Sequence, residues 1–246
     1  MEFMEKQAFS ALFRQFLAIH DLSEYADKPL IDQFYELTRL MSEKNQVMNL
    51  TAIRDVERII PLHYVDCLLA AEYLPHGASV IDVGCGGGFP TLPLAIARPD
   101  ITVFGVDSTE KKVRYVQETA DRLGLKVQTA AARAEDLAKD PAYREKFDVA
   151  TSRAVARLNI LDELCLPFVK NGGRAVILKG AAGAEELEEA TVGIETLGGD
   201  IADILEFNLK VADGDEEQRT VILIDKMRKT PPSYPRAFGQ IKKKPL

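Results

Sequence analysis

Cysteine is scarce in this sequence, and its placement excludes several classes of protein. Cys67, Cys85 and Cys165 are few, odd in number and far apart, and none belongs to a CxxC pair. A disulfide scaffold needs paired cysteines and a structural zinc site needs closely spaced ligands, so neither is expected. The sequence therefore indicates a protein of the reducing cytoplasm, without a metal site.

Long apolar runs are also missing. No apolar segment approaches the roughly 18 residues that a transmembrane helix needs. The stretch MEFMEKQAFSALF contains acidic side chains and lacks the apolar core of a signal peptide. Hydrophobic residues make up 46% of the chain and charged residues 28%, as in soluble globular proteins. We therefore expect no contact with a membrane, and the 246 residues suffice for one large core.

A net positive charge, common in nucleic-acid-binding proteins, is absent from the whole chain but present in one segment. The net charge is −7, yet residues 226–246 contain seven bases and no acid, so the remainder carries −14. Acidic residues concentrate at 184–190 and 213–217. A basic tail on an acidic body indicates a local anionic partner, although a merely solvated tail would have the same composition.

Hydrophobic periodicity divides the chain into a helical part and an alternating part. Up to about Leu74, apolar spacings of three and four residues predict helices over 9–19 and 30–50, and a further helix follows at 68–71. From Ala78 onward strand and helix patterns alternate, which is typical of a parallel sheet covered on both faces. Seven strands are predicted, at 78–84, 101–107, 125–131, 147–152, 172–180, 200–209 and 219–226.

The last two strands lack a long helix between them, so we expect them to close the sheet as an antiparallel pair. The sequence therefore predicts an α/β domain over 75–246 that carries the basic tail, with a helical N-terminal cap over 1–74. No linker separates the two parts, so we expect one structural unit. We also expect the protein to be a monomer.

Four glycines follow the first predicted strand, in VIDVGCGGGFP at 80–90. Ligands of open α/β sheets bind beyond the carboxyl ends of the strands, and glycines let them approach the backbone. A dinucleotide fingerprint would need glycine or alanine at position 89, where this chain has Phe89, so a nicotinamide cofactor is disfavoured. The D-x-G-x-G-x-G pattern, from Asp82 through Gly84 and Gly86, instead resembles the first motif of S-adenosylmethionine-dependent methyltransferases.

The next two strands carry further candidate donor contacts. We expect Asp82 to suit the donor's ammonium group, which a dinucleotide's diphosphate would not offer. Asp107 ends the second strand, where a carboxylate can accept both ribose hydroxyls, although it can also cap the following helix. Ala134 and Glu135 follow the third strand, where such methyltransferases hold the adenine.

The fourth strand, which usually carries the chemistry, ends in TSRAVA at 151–156. That segment lacks the D/N-P-P-aromatic motif of exocyclic amine methylation. A cysteine nucleophile is not indicated either, because Cys165 lies in an apolar helix and Cys85 in the donor loop. An acceptor with a free lone pair, such as guanine N7, would need no general base, and positioning would then supply most of the rate.

Eight motifs, spread over roughly residues 20 to 246, resemble those of the small-subunit (16S) ribosomal RNA methyltransferase G family, also called glucose-inhibited division protein B. In chain order they are NLTAI (49–53), PLHYVD (61–66), DVGCGGGFP (82–90), VDSTEKK (106–112), RAEDL (133–137), TSRAVA (151–156), LKG (178–180) and RKTPPSYPR (228–236). The resemblance implies a class I methyltransferase fold and S-adenosylmethionine as donor, with S-adenosylhomocysteine as product. It also implies methylation of a guanine N7 in the 530 loop of bacterial 16S rRNA.

Several site residues follow from this resemblance. Gly84 and Phe89 match donor contacts in the loop, Ala134 and Glu135 match those at the adenine, and Arg153 matches an arginine between donor and acceptor. The chain departs from the family pattern at four positions: Cys67, Cys85, Thr91 and Ile241. The first three are small-for-small changes, whereas Ile241, in place of a proline, leaves the path of the tail open.

We predict that Arg153 orients the guanine and that His63 lines the acceptor pocket, although a packed histidine is an equal alternative. The candidate RNA contacts are Asn49, Lys179, Arg228, Lys229, Tyr234 and Arg236. The partner would be 16S rRNA, the small ribosomal subunit or its assembly intermediate. A methyltransferase for another substrate and a non-catalytic ribosome assembly factor remain the alternatives.

Overall fold

The computed structural model describes residues 4–212 and 214–246. For Ala212 it describes the backbone but not the side chain. Residues 1–3 of the predicted cap and Asp213 of the acidic segment lie outside the described residues. Within the described part, no helix is long and apolar enough to cross a membrane.

The N-terminal part is helical, as predicted, but with one difference. Helix α1 covers Lys6–Ile19 and α2 covers Lys28–Met48. The chain then forms α3 (Val56–Ile59), a π-helical segment (Ile60–Val65) and α4 (Asp66–Leu68) without a break. The sequence predicted only a helix at 68–71. Because every residue from 59 to 71 is buried, this segment has no polar face to reveal a helical period.

The predicted seven-stranded sheet is confirmed, in the order β3-β2-β1-β4-β5-β7-β6. Strands β1 to β5 are parallel, and β7 runs antiparallel between β5 and β6. The strands are β1 (Ser79–Val83), β2 (Thr102–Asp107), β3 (Val127–Ala131), β4 (Phe147–Arg153), β5 (Val169–Gly180), β6 (Gly199–Ala212) and β7 (Asp215–Lys226). The order reverses between β1 and β4, which is where an open α/β sheet forms a ligand crevice.

The helices between and after the strands cover both faces of the sheet. They are α5 (Thr91–Ala97), α6 (Glu110–Leu123), α7 (Ala134–Leu137), α8 (Leu158–Cys165), α9 (Gly183–Thr196) and α10 (Phe238–Lys243). Helix α6 ends before Gly124, whose φ of 67° closes the helix in the left-handed region.

Two hydrophobic clusters fill the space between the sheet and its helices. The first joins Phe9, Phe13 and Phe34 of the N-terminal helices to Leu92 of α5 and Val103 of β2. The second lies under α8, α9 and α10. The N-terminal helices therefore share a core with the sheet and do not form a separate body.

The basic tail is fastened to the body of the protein by hydrogen bonds. The Arg144 guanidinium donates to the carbonyl oxygens of Thr230 (2.9 Å) and Tyr234 (2.8 Å). Further along, the Arg236 guanidinium meets both carboxylate oxygens of Glu163 on α8, at 2.6 to 3.1 Å, and the Glu163 side chain is fully buried. Arg236, predicted to face RNA, thus serves to hold the tail.

We expect an Arg236→Ala variant to lose about 3–5 kcal/mol of unfolding free energy, because it leaves the Glu163 carboxylate buried without its partner. Urea denaturation measures this change. Lys229→Ala provides the control, since Lys229 is exposed and such surface substitutions change stability by about 0.5 kcal/mol or less. Equal stabilities of the two variants would contradict the structural role of the pair.

Candidate active site

A cleft of about 530 Å³ opens at the carboxyl ends of β1, β2 and β4. Its volume lies within the range of small-molecule sites, about 300–1,000 Å³. The glycine loop forms its floor, and its sides come from the segments around Thr51, His63, Asp107, Ala134 and Arg153. The structure therefore brings residues from six separate parts of the sequence to one place.

The glycine loop presents bare backbone to this cleft. Gly84, Gly86 and Gly88 have φ values of 78°, 51° and 94°, a region that side chains rarely allow. The N–H groups of Gly84 and Cys85 both donate to the Val106 carbonyl oxygen, which fixes the loop to β2. A Cβ built on Gly86 would point into open space, with only the Gly84 carbonyl oxygen nearby at 3.8 Å. A ligand can therefore lie directly against the main chain here.

Asp107 borders the cleft and organises the turn that leads into α6. Its Oδ2 accepts a hydrogen bond from the Gly86 N–H (3.0 Å), and its Oδ1 accepts one from the Thr109 N–H (2.7 Å). A carboxylate can accept about four hydrogen bonds, so two sites remain for hydroxyl groups of a ligand. The two roles weighed for Asp107, as turn anchor and as ligand contact, are compatible.

Asp82 does not occupy the place that we predicted for it. Its side chain is fully buried and does not line the cleft. Oδ2 instead accepts hydrogen bonds from the Thr91 N–H (3.2 Å) and hydroxyl (2.5 Å), and the buried Oδ1 has no hydrogen-bond partner among the described residues. Burial raises the pKa of this carboxyl group to about 6. Asp82 therefore fastens the start of α5 below the loop, and the geometry does not favour direct contact with an ammonium group.

Arg153 and His63 form one wall of the cleft. The Arg153 guanidinium donates to the Leu62 carbonyl oxygen (2.8 Å), to Oδ2 of Asp66 (2.6 Å) and to Nδ1 of His63 (3.1 Å). It lies over the Phe89 ring at 5.5 Å, and His63 stacks on the same ring at 4.5 Å. Since a guanidinium has five N–H groups, two remain for a ligand after the hydrogen bonds found among the described residues.

His63 is neutral in this wall. Burial, and then the nearby charge of Arg153, lower its pKa to about 3. Because Nδ1 accepts a hydrogen bond from the Arg153 guanidinium, the ring proton resides on Nε2, which donates to the Thr51 hydroxyl at 2.8 Å. Both nitrogens are thus engaged, and the histidine orients its neighbours instead of taking up protons.

Sequence reasoning missed the two residues that hold Arg153 in place. Asp66 bridges two arginines, since its Oδ1 accepts from Nε of Arg219 (3.1 Å) while Oδ2 accepts from Arg153. Asp66 stands three residues after His63 in the PLHYVD motif, so a local signal was available. Arg219 comes from β7, far along the chain, and only the folded sheet brings it close.

Several predicted RNA contacts lie away from the cleft. The Lys179 ammonium is paired with Glu186 (2.6 Å) and donates to the Ala156 carbonyl oxygen (2.7 Å), and its side chain is only 9% exposed. Tyr234 lies under the Arg236 guanidinium, at 5.7 Å from its ring centroid. Partners within the protein therefore already satisfy these groups.

The remaining predicted contacts are exposed but lie elsewhere. Arg228 and Lys229 follow the carboxyl end of β7. Because β7 is antiparallel to β5, this end lies at the edge of the sheet opposite the cleft. Asn49 is the left-handed C-cap residue of α2, and the cleft is lined by its neighbours Leu50 and Thr51.

The fold of the chain has counterparts among solved structures. Solved structures that share it include P. horikoshii TYW2 in complex with MeSAdo, with a TM-score of 0.54 and 16% identity over 68% of this chain and 64% of that one. M. jannaschii TYW2 in complex with AdoMet gives a TM-score of 0.52 and 18% identity over 66% and 75%. At such low identity these likenesses show the fold alone, that of class I methyltransferases, as predicted.

The family follows from sequence relatives. The family model GidB, described as rRNA small subunit methyltransferase G, matches residues 30–212. The enzyme of Acetivibrio thermocellus with that name is 45% identical over 222 residues, covering 89% of this chain and 90% of its own. That of Leuconostoc citreum is 43% identical over 234 residues, covering 93% and 96%. The chain belongs to the ribosomal RNA small subunit methyltransferase G family, and its methyl donor is S-adenosylmethionine.

Proposed function

We propose that this enzyme methylates N7 of a guanine in the 530 loop of 16S rRNA, acting in the cytoplasm as a monomer. The observation that supports this proposal most strongly is the neutral His63 in the wall of the cleft, whose two ring nitrogens both form hydrogen bonds. A histidine with a pKa of about 3 is a poor general base at neutral pH. A wall of this kind suits an acceptor that is already nucleophilic.

Guanine N7 is such an acceptor, because it carries a lone pair and no proton. The bond from N7 to the methyl carbon forms as the carbon–sulfur bond breaks, and its electron pair stays on sulfur. The donor thus loses its positive charge, the base gains one, and no proton has to leave. The protein's work is to hold the two reactants in line and to exclude water.

The cleft offers each part of the donor a separate contact. The backbone around Gly86 suits the amino-acid end, and the free lone pairs of Asp107 suit the ribose hydroxyls. Ala134 and Glu135, at the start of α7, border the end where the adenine would lie. Arg153 and His63 then face the reacting methyl group from the side of β4.

Unpaired cations near the cleft suggest how the RNA would approach. Lys112 and Arg133 line the cleft, and Arg54 and Arg58 are exposed on the segment that follows Thr51. Among the described residues none of these four forms an ion pair, in contrast to Lys179 and Arg236. Such cations can neutralise phosphates without first breaking a bond within the protein.

The direct test incubates the purified enzyme and labelled S-adenosylmethionine with small subunits, and with naked 16S rRNA, from a strain without the activity. We expect one labelled 7-methylguanosine in the 530 loop, mapped by mass spectrometry. Transfer to a small molecule or a protein without RNA would overturn the proposal. Donor binding without any turnover would instead indicate an assembly factor.

The pH dependence provides a second test. Because the pKa of His63 is lowered, its neutral form persists down to about pH 3, and it contributes no limb to the rate profile between about pH 5 and 8. Burial raises the pKa of Asp82 to about 6, which falls within that range. We therefore expect kcat/KM of an Asp82→Asn variant to be constant across the range. A remaining limb near pH 6.5 would show that His63 titrates.

A further inference from the structure

The tail returns to the cleft at one aromatic residue. Phe238 begins α10 and lines the cleft at the end occupied by Ala134 and Glu135. Its ring is half-buried against the cluster beneath α8, and the Arg133 guanidinium lies 5.9 Å from the ring centroid. The ring therefore has fixed neighbours on the protein side while part of its surface faces the cleft.

The fastening of the tail determines where this ring lies. Two residues before Phe238, Arg236 is bound to the buried Glu163 of α8, and three residues after it the Ile241 side chain is fully buried. The residue after Glu163, Leu164, also lines the cleft. Anchors on both sides of Phe238 thus join the short helix to the element that borders the same end of the cleft.

We propose that Phe238 forms the outer wall of the nucleoside end of the donor pocket and contacts the adenine of S-adenosylmethionine. The inference rests on the donor orientation proposed above. Aromatic side chains bind purines through stacking and other contacts with the π-face, and Leu164 adds an apolar surface nearby. The tail would accordingly be part of the donor pocket at Phe238, and its bases would not need to contact RNA.

The test measures binding of S-adenosylhomocysteine and of adenosine by calorimetry, without RNA. A Phe238→Ala variant is expected to lose about 5- to 150-fold in affinity for both ligands, the range that loss of one aromatic contact to a base gives. The two losses should be equal, because the contact is to the purine. Phe238→Leu, which keeps apolar bulk without the flat ring, is expected to lose less.

Gln240→Ala is the matched control, since Gln240 is exposed on the same helix, and its affinities should stay within twofold of the wild type. Thermal melting shows whether Phe238→Ala folds, and Phe238→Leu answers the question if it does not. Unchanged affinities in the folded variant overturn the proposal. So does an unchanged affinity for S-adenosylhomocysteine with a raised KM for rRNA, which would place Phe238 on the acceptor side. Failure of rRNA methylation alone would refute the proposed function and leave these binding results valid.

Discussion

An Arg153→Ala variant is expected to transfer methyl groups about 10²–10³-fold more slowly than the wild type, the usual loss when a positioned hydrogen-bond donor is removed. The guanidinium orients His63, stacks over Phe89 and keeps two N–H groups for a ligand. We expect affinity for S-adenosylhomocysteine to fall less than tenfold, because the glycine loop and Asp107 remain. Single-turnover kinetics and calorimetry measure the two quantities separately.

Arg157→Ala is the matched control for this variant. Arg157 stands just beyond the cleft wall, is exposed and pairs with Glu189, so its loss should leave the rate within about twofold. Arg153→Lys tests whether the shape of the guanidinium matters, since lysine keeps the charge but not the planar fork. We expect the methyl-transfer rate of this variant to remain far below that of the wild type. A lysine variant with the wild-type rate would show that only the charge matters.

An Asp107→Ala variant is expected to bind S-adenosylhomocysteine about 10²–10⁴-fold more weakly. Two hydrogen bonds from ribose hydroxyls to a carboxylate are together worth about 3–6 kcal/mol. The substitution also removes the acceptor of the Gly86 N–H, which holds the loop in its present form. Calorimetry with S-adenosylhomocysteine gives the affinity directly.

Asp136→Ala is the control for Asp107, because Asp136 is an exposed acid that follows the cleft-lining Glu135 and pairs with Lys139 at 3.5 Å. Its affinity should match that of the wild type. Asp107→Asn keeps one acceptor oxygen, so its affinity for S-adenosylhomocysteine should lie between those of the wild type and the alanine variant. If Asp107→Ala binds normally, the carboxylate serves only the turn, and the proposed ribose contact is wrong.

Much of the fold could be predicted because its signals are local. The alternation of strands and helices follows from hydrophobic period, and the glycine loop follows from the residue type that adopts positive φ most readily. Gly84 and Asp107 could be assigned to the cleft because parallel strands end at one edge of the sheet. These arguments need only the residues within one element and its turn.

The predictions that the structure did not support depend on distant partners. Lys179 ends β5 as predicted, but the acidic start of α9 folds back and Glu186 pairs with it. In the sequence, Arg236 resembles an unpaired base of the tail, but in the folded protein it pairs with Glu163 of α8. Asp82 and Gly84 are two residues apart, yet only the structure shows that the carboxylate turns towards Thr91. The residues around each of these side chains do not indicate which partner it will bind in the folded protein.

The bridge from Arg153 through Asp66 to Arg219 has a consequence for the newly made protein. Arg219 lies on β7, which inserts between β5 and β6 near the end of the chain. During synthesis His63, Asp66 and Arg153 emerge first, but Arg153 and Asp66 gain the support of Arg219 only when this strand has left the ribosome and paired. A methyltransferase of ribosomal RNA therefore completes the support of its Arg153 wall only after β7 has been made.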